Sequence, residues 1–270
     1  MPVDIIKAII MGIVEGITEY LPISSTGHLI VAGRLLDFQA LGGTFEIFIQ
    51  LGAVLAVIVF YARELWQQAR TLNQSGTQRL WLAILIAFIP AAGLGFILDR
   101  MGVLDAIFNP TVVAIALIVG GIVFLIVERR PQAEATEQLP DLEQISWQQA
   151  LGIGLGQCFA LIPGVSRSGA TIITGLLAGL NRPTATKFSF YLAIPTLGLA
   201  TIYSLVRDLD QITSDSLVLL AVGTIVSFII SLVAIRWLLR YVARNNFIVF
   251  GYYRILAGII ILVLVAAAVL

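Results

Sequence analysis

The sequence predicts an all-α membrane protein: six transmembrane helices and two re-entrant helix–loop–helix hairpins, arranged as an inverted-topology internal repeat. Three observations predict it. The 270 residues are 59% hydrophobic and only 12% charged, with a mean hydropathy of +0.99. Soluble domains carry about a quarter charged residues, so composition alone points to a polytopic membrane protein. Six segments are long and apolar enough to span a bilayer core of about 30 Å. Two further segments are interrupted in the middle by polar residues, and each half is too short to cross.

The six spans are expected at roughly 44–61, 79–98, 110–127, 184–206, 216–236 and 248–269. The first interrupted segment, 4–36, carries EGITEYLPISSTGH, from Glu15 to His28. The second, 147–180, carries GQCFALIPGVSRSGAT, from Gly156 to Thr171. Each runs helix-like, reaches a Pro and breaks into Ser, Thr and Gly. Irregular backbone at membrane depth is tolerated only when it is buried in protein or lines a wet cavity.

Both broken segments are followed by a Phe-rich start, Phe45-Glu46-Ile47-Phe48 and Phe188-Ser189-Phe190-Tyr191, and then by further spans. This shared order divides the chain into repeat one (about 1–127), a linker (about 128–146) and repeat two (about 147–270). Three spans separate the hairpins, an odd number, so the second enters from the opposite side and the tips can meet near the midplane. The polar stretch 131–144 is expected to be a solvated loop.

Lys and Arg counts orient the chain. Arg63, Arg70, Arg79, Arg129, Arg130, Arg182, Lys187, Arg236, Arg240 and Arg244 fall on one side, which is therefore cytoplasmic. Arg100 and Arg207, with Asp99, Asp105, Asp208, Asp210 and Asp215, fall on the other. Both termini and the mouth of the first hairpin then face outward. Trp66, Trp81, Trp147 and Trp237 stand near predicted span ends, as an aromatic belt requires. The N-terminal run lacks a basic region with a small-residue cleavage site and reads as mature structure. Zero formal net charge argues against a nucleic-acid partner, and the single Cys158 excludes an internal disulfide. Asn109-Pro110 and Arg182-Pro183 read as helix starts. Gly120, Gly121, Gly175 and Gly179 read as close helix packing, with homodimerisation a further use of such faces.

Polar groups in hydrocarbon are costly, which singles out the two breaks as candidate half-sites of one pocket. Glu15 and Glu19 are four apart and share a helix face. Two such carboxylates suit a divalent ion with hard oxygen ligands, Mg²⁺ or Ca²⁺; the alternative is a solvated pair near an interface. Ser24, Ser25, Thr26 and Gly27 start the second short helix, either as an ordinary N-cap or as part of a phosphate site at the helix N-terminus. His28, the only His, would serve as base, acid or phosphoryl acceptor, or as a satisfied structural residue.

Arg167 sits between Ser166 and Ser168, and its planar fork of donors matches phosphate oxygens. Its alternative role is an internal partner for Glu15 or Glu19. The hydroxyls of Ser166, Ser168 and Thr171 add neutral donors, and Gly164 lets the backbone approach a ligand. Glu46 and Gln50 share a face of the first span and are candidates for lining the cavity. Arg254 either snorkels or pairs internally. Together these are parts for phosphoryl transfer on a substrate that reaches the pocket from the bilayer. No GxxxxGK[ST] sequence is present, which argues against ATP use.

EGITEYLPISSTGHL and PGVSRSGAT closely resemble the two signature motifs of undecaprenyl-diphosphate phosphatases of the bacitracin-resistance type. The resemblance extends to FEIFIQLGAVLAV at 45–57, to KFSFYLAIPT at 187–196 and to the whole length. It implies removal of one phosphate from the polyprenyl diphosphate carrier of cell-wall synthesis, with a divalent cation, on the outer face of the bacterial plasma membrane. It implies Glu15 and Glu19 as metal ligands, Ser25, His28 and Glu19 as catalytic candidates, and Arg167 as a catalytic and diphosphate-binding residue. Ser24, Thr26, Gly164, Ser166, Ser168 and Thr171 complete the implied diphosphate site. His28 as base or nucleophile, with Ser25 donating to a phosphate oxygen, is the expected division of roles. Another membrane lipid phosphatase family carries a second His six residues after its Arg, where this chain has Ile173. A lipid-carrier transporter using the same midplane pocket is the alternative from a different class.

Overall fold

The computed structural model describes residues 2–38, 44–130, 142–207 and 214–270, and among these the regular structure is entirely helical. Twelve α-helices follow one another in the described residues. They are α1 (Pro2–Thr18), α2 (Ser25–Leu35), α3 (Thr44–Phe60), α4 (Ala62–Arg70), α5 (Ser75–Arg100) and α6 (Val103–Ile107). After them come α7 (Pro110–Glu128), α8 (Trp147–Gln157), α9 (Arg167–Leu177), α10 (Arg182–Arg207), α11 (Ser214–Val242) and α12 (Ile248–Ala266).

Among the described residues, five helices are long and apolar enough to cross a membrane: α5, α7, α10, α11 from Ser216, and α12. α3 and α4 reach that length and hydropathy only together, across a bend of 63°. The bend has a chemical cause. After Tyr61 the sequence changes from an unbroken apolar run to ARELWQQAR, whose Trp66 is exposed and whose Glu64 binds Lys187 at 2.8 Å and accepts a hydrogen bond from Tyr191 at 2.9 Å. Asn109 caps α7 by accepting the Val112 N–H at 3.0 Å, with Pro110 in the first turn.

α1 and α2, and likewise α8 and α9, are short pairs that pack on each other across a break. The eleven residues of α2, α8 and α9 each span only ~16 Å, about half a bilayer core. The breaks share one local design. Ser24 and Ser166 sit at the N-caps of α2 and α9 with φ of 72° and 74°, and each side chain accepts the N–H of the Gly three residues on. A non-glycine residue in that region is strained, and such strain gathers at functional sites. At Gly164, φ is +95° and a Cβ would stand 2.5 Å from the Val113 carbonyl oxygen, so no other residue fits against α7.

Small residues let the elements close around these breaks. Gly12 and Gly16 bring α1 against the backbone of α11, and Gly121 brings α7 against that of α12. Gly175 meets Ala185 of α10. Gly121 and Gly175 are therefore used for packing inside the chain, whereas Gly179 meets no neighbour within 4 Å. At the Lys/Arg-rich end, the buried Glu128 of α7 accepts from the Arg182 guanidinium and from the Phe247 N–H at 2.9 Å. One carboxylate thus joins the end of α7 to the starts of α10 and α12.

The expected linker 131–144 lies outside the described residues up to 141. Its last three residues form a turn of 3₁₀-helix in which Leu142 is buried in the core while Glu143 and Gln144 are exposed. Asp208 and Asp210 also lie outside the described residues.

Candidate active site

The two breaks meet. Ser168, fully buried in the first turn of α9, donates to the carbonyls of Glu19 and Leu21 at 3.2 and 3.1 Å. Arg254, inside α12 and 0% exposed, donates to Pro22 O of one break and to Gly164 O and Val165 O of the other, at 3.1, 3.1 and 2.9 Å. A broken helix leaves carbonyls without intrahelical partners. One guanidinium satisfies three of them and fixes the breaks relative to each other. The snorkelling alternative for Arg254 is excluded by its complete burial.

Between the breaks lies a cavity of about 150 Å³. One break lines it with Glu19, Ser24, Ser25 and Thr26, the other with Gly164, Ser166 and Arg167. Gln50 of α3 and Leu197 of α10 close it. The N-termini of α2 and α9 therefore open on the same small polar space, and their free N–H groups and positive dipole ends favour an anion there.

The charged groups are organised around Glu19. Its Oε1 accepts from the Arg167 Nη2 at 3.0 Å, and its Oε2 accepts from the Ser25 hydroxyl at 2.7 Å. Arg167 is held in turn by Ser189, to whose carbonyl and hydroxyl oxygens its Nη1 donates at 2.9 and 3.1 Å. Thr171 donates to the Ser189 hydroxyl at 2.7 Å. Arg167 Nε is buried and has no partner among the described residues. A hydroxyl bonded to a carboxylate that is itself oriented by a third group is the arrangement of an activated nucleophile.

Glu15 stands one helical turn before Glu19 and is 1% exposed, yet neither carboxylate oxygen has a partner among the described residues. Glu15 and Glu19 set two buried carboxyl groups beside the single guanidinium of Arg167. A buried carboxylate without a partner is costly, and a cation removes that cost. The residues therefore fit a divalent ion held by one or two carboxylates and shared with a phosphate, the usual habit of Mg²⁺. No group of three or more Asp, Glu, His or Cys that could hold a metal occurs among the described residues, so a fully protein-built cage is absent there.

Several candidates stand elsewhere. The cavity lining does not include His28. Its Nδ1 donates to the Ser24 carbonyl at 2.7 Å, so its Nε2 is the acceptor for the Tyr253 hydroxyl at 2.6 Å, and the two rings stack at 5.6 Å. Ser168 and Thr171 are buried behind the lining, as a bracket between the breaks and a support for Ser189. Glu15 is likewise not among the lining residues.

Arg254 takes the internal pairing that was one of its two expected roles, while Ser189 and Tyr253 gain roles that the sequence had not given them. Ser189 could have been found from its place in the repeated Phe-rich start. Tyr253 carried no such signal.

The sequence matches known proteins over nearly its full length. The family described as bacitracin resistance protein BacA matches residues 8–260. Undecaprenyl-diphosphatase 1 of Chromobacterium violaceum is 50% identical over 258 residues, covering 94% of each chain. The undecaprenyl-diphosphatase of Deinococcus radiodurans is 47% identical over 271 residues, covering 99% of this chain and 97% of its own. That of Albidiferax ferrireducens is 49% identical over 265 residues, covering 96% and 94%. With both breaks and the spans around them inside the matched region, this multi-pass membrane protein belongs to the bacitracin resistance protein BacA family.

Proposed function

We propose that this protein hydrolyses undecaprenyl or a related polyprenyl diphosphate to the monophosphate and inorganic phosphate. The observation that carries the reading is the 2.7 Å hydrogen bond from Ser25 to Glu19, set in a cavity where two helix N-termini and Arg167 converge. The names of the relatives support the same chemistry. In the reading that follows from the family, the reaction returns the lipid carrier to cell-wall synthesis and gives resistance to bacitracin.

The residues divide the work as follows. The terminal phosphate enters between the N-termini of α2 and α9, where Ser24, Thr26 and Ser166 supply neutral donors. The Ser25 hydroxyl attacks the terminal phosphorus and passes its proton to Glu19. The bond from phosphorus to the bridging oxygen breaks, and polyprenyl monophosphate leaves with that oxygen and the proton. Water then attacks the phosphoserine, Glu19 takes a proton from it, and Ser25 regains its hydrogen as inorganic phosphate departs. Arg167 faces the negative charge spread over the phosphoryl oxygens. Glu15 and Glu19 would hold a divalent cation, Mg²⁺ or Ca²⁺, which when bound supplies positive charge beside those oxygens.

This assignment moves the attacking group from His28, whose two ring nitrogens are engaged away from the cavity, to Ser25. We further propose that the two units are inverted repeats whose hairpins enter from opposite leaflets, with the cavity opening to the outer face. The Lys and Arg distribution supports that orientation.

The test is phosphate release from polyprenyl diphosphate by purified protein, with and without EDTA. Full release by Ser25→Ala or Arg167→Ala protein removes the site assignment. The matched breaks at the centre also suit a lipid-carrier transporter. Wild type that releases no phosphate but moves the lipid across vesicles would establish that reading instead.

A further inference from the structure

We infer that Gln50 is a substrate-binding residue of this site, a neutral donor to the diphosphate held in register by Thr201; the inference rests on the hydrolase reading above. After its first turn, α3 is an unbroken apolar run except for Gln50. A primary amide at membrane depth is expensive unless it is paired or lines a polar space. Gln50 does both with its two ends. Its carbonyl oxygen accepts the Thr201 hydroxyl at 3.2 Å. Its side chain lines the cavity that also holds Ser25, Glu19 and Arg167.

The orientation follows from chemistry. An amide whose oxygen is engaged on one side presents its NH₂ on the other. That NH₂ has no partner among the described residues, and it is not among the buried unsatisfied atoms. It is therefore a donor open to the cavity. Thr201 is 1% exposed and sits one helical turn after Leu197, which lines the same wall. Its hydroxyl acts through Gln50, so Thr201 is a positioning residue.

The remaining donors in the cavity show why this one matters. Arg167 already gives its Nη1 to Ser189 and its Nη2 to Glu19. The hydroxyl proton of Ser25 goes to Glu19. Gln50 is the lining donor that comes from neither break. It stands on the far wall, where it can hold a phosphate oxygen without competing with the Glu19 cluster.

The experiment uses purified full-length wild type, Gln50→Leu, Gln50→Glu, Thr201→Val and Thr201→Ser in detergent. Each is assayed for phosphate release from polyprenyl diphosphate and titrated calorimetrically with inorganic pyrophosphate. Gln50→Leu is expected to raise both KM and the pyrophosphate Kd about tenfold, with kcat within about twofold, the size of one hydrogen bond to a charged group. Gln50→Glu weakens binding further, because its carboxylate repels the pyrophosphate anion. Thr201→Val gives a smaller shift in the same direction, and Thr201→Ser restores wild-type values. Unchanged KM and Kd in Gln50→Leu, or a fall in kcat alone, overturns the proposal and leaves Gln50 as packing. If wild type binds pyrophosphate but releases no phosphate, the hydrolase reading falls and calorimetry still decides Gln50. Wild type that binds no pyrophosphate overturns the proposal outright.

Discussion

Glu19 and Arg167 are 148 residues apart in the chain and 3.0 Å apart in space, both below a tenth exposed. Each comes from a different broken helix, so their ion pair is a direct measure of whether the two breaks are docked. Removing one partner of a buried pair leaves an uncompensated charge and costs about 3–5 kcal/mol. Glu19→Gln and Arg167→Met should each lower the thermal midpoint in detergent and abolish phosphate release. The double variant should be less destabilised than the sum of the singles. Additive losses would mean that the pair is not formed in the folded protein.

Ser25 and His28 are separated by a single turn of α2, yet only Ser25 faces the cavity. Ser25→Ala should lower kcat by at least about 10³-fold, as loss of a nucleophile does. His28→Ala and Tyr253→Phe should cost less than about tenfold, since they remove neutral hydrogen bonds, two and one respectively, that do not reach the phosphate. A larger loss in His28→Ala than in Ser25→Ala would return the attacking role to the imidazole.

Arg254 is the strongest candidate for a purely architectural charge. Three carbonyls at the two breaks depend on its guanidinium. Arg254→Met should leave them unsatisfied and cost about 3–5 kcal/mol, read as a large fall in thermal midpoint. Arg254→Lys should recover only part of it, because an ammonium cannot span the same fork of acceptors.

Glu15 offers a test of cation binding that does not depend on turnover. Mg²⁺ or Ca²⁺ should raise the thermal midpoint of wild type in a concentration-dependent way, through preferential binding to the folded state. Glu15→Gln removes one of the two carboxyl ligands, so it should gain little from the ion. Equal stabilisation of both proteins would place the ion elsewhere.

The orientation can be checked in intact cells carrying a Cys158→Ser background. Asp105 and Arg130 are both exposed. Asp105→Cys should react with an impermeant thiol reagent from outside, and Arg130→Cys should not. The reverse pattern would invert the protein in the membrane.

Much of the fold was legible in the residues. Long apolar runs determine spans because a backbone in hydrocarbon must satisfy its own hydrogen bonds, so α5, α7, α10, α11 and α12 follow from hydropathy alone. Proline followed by small polar residues determined the breaks at Ser24 and Ser166 for the same reason: a helix cannot continue there. The charge of the pocket was legible too, since Glu15, Glu19 and Arg167 are expensive in a membrane. The sequence did not reveal which polar side chains share a space. Ser25 and His28 differ by three positions on a helix, and only the seating of α2 against α1 and α7 directs one to the cavity and the other to Tyr253. Arg254, Ser189 and Gln50 lie far from both motifs in the chain. Their roles come from carbonyls and hydroxyls that a distant helix brings within 3 Å or so of them, and hydrogen-bond partners across elements are set by packing rather than by spacing.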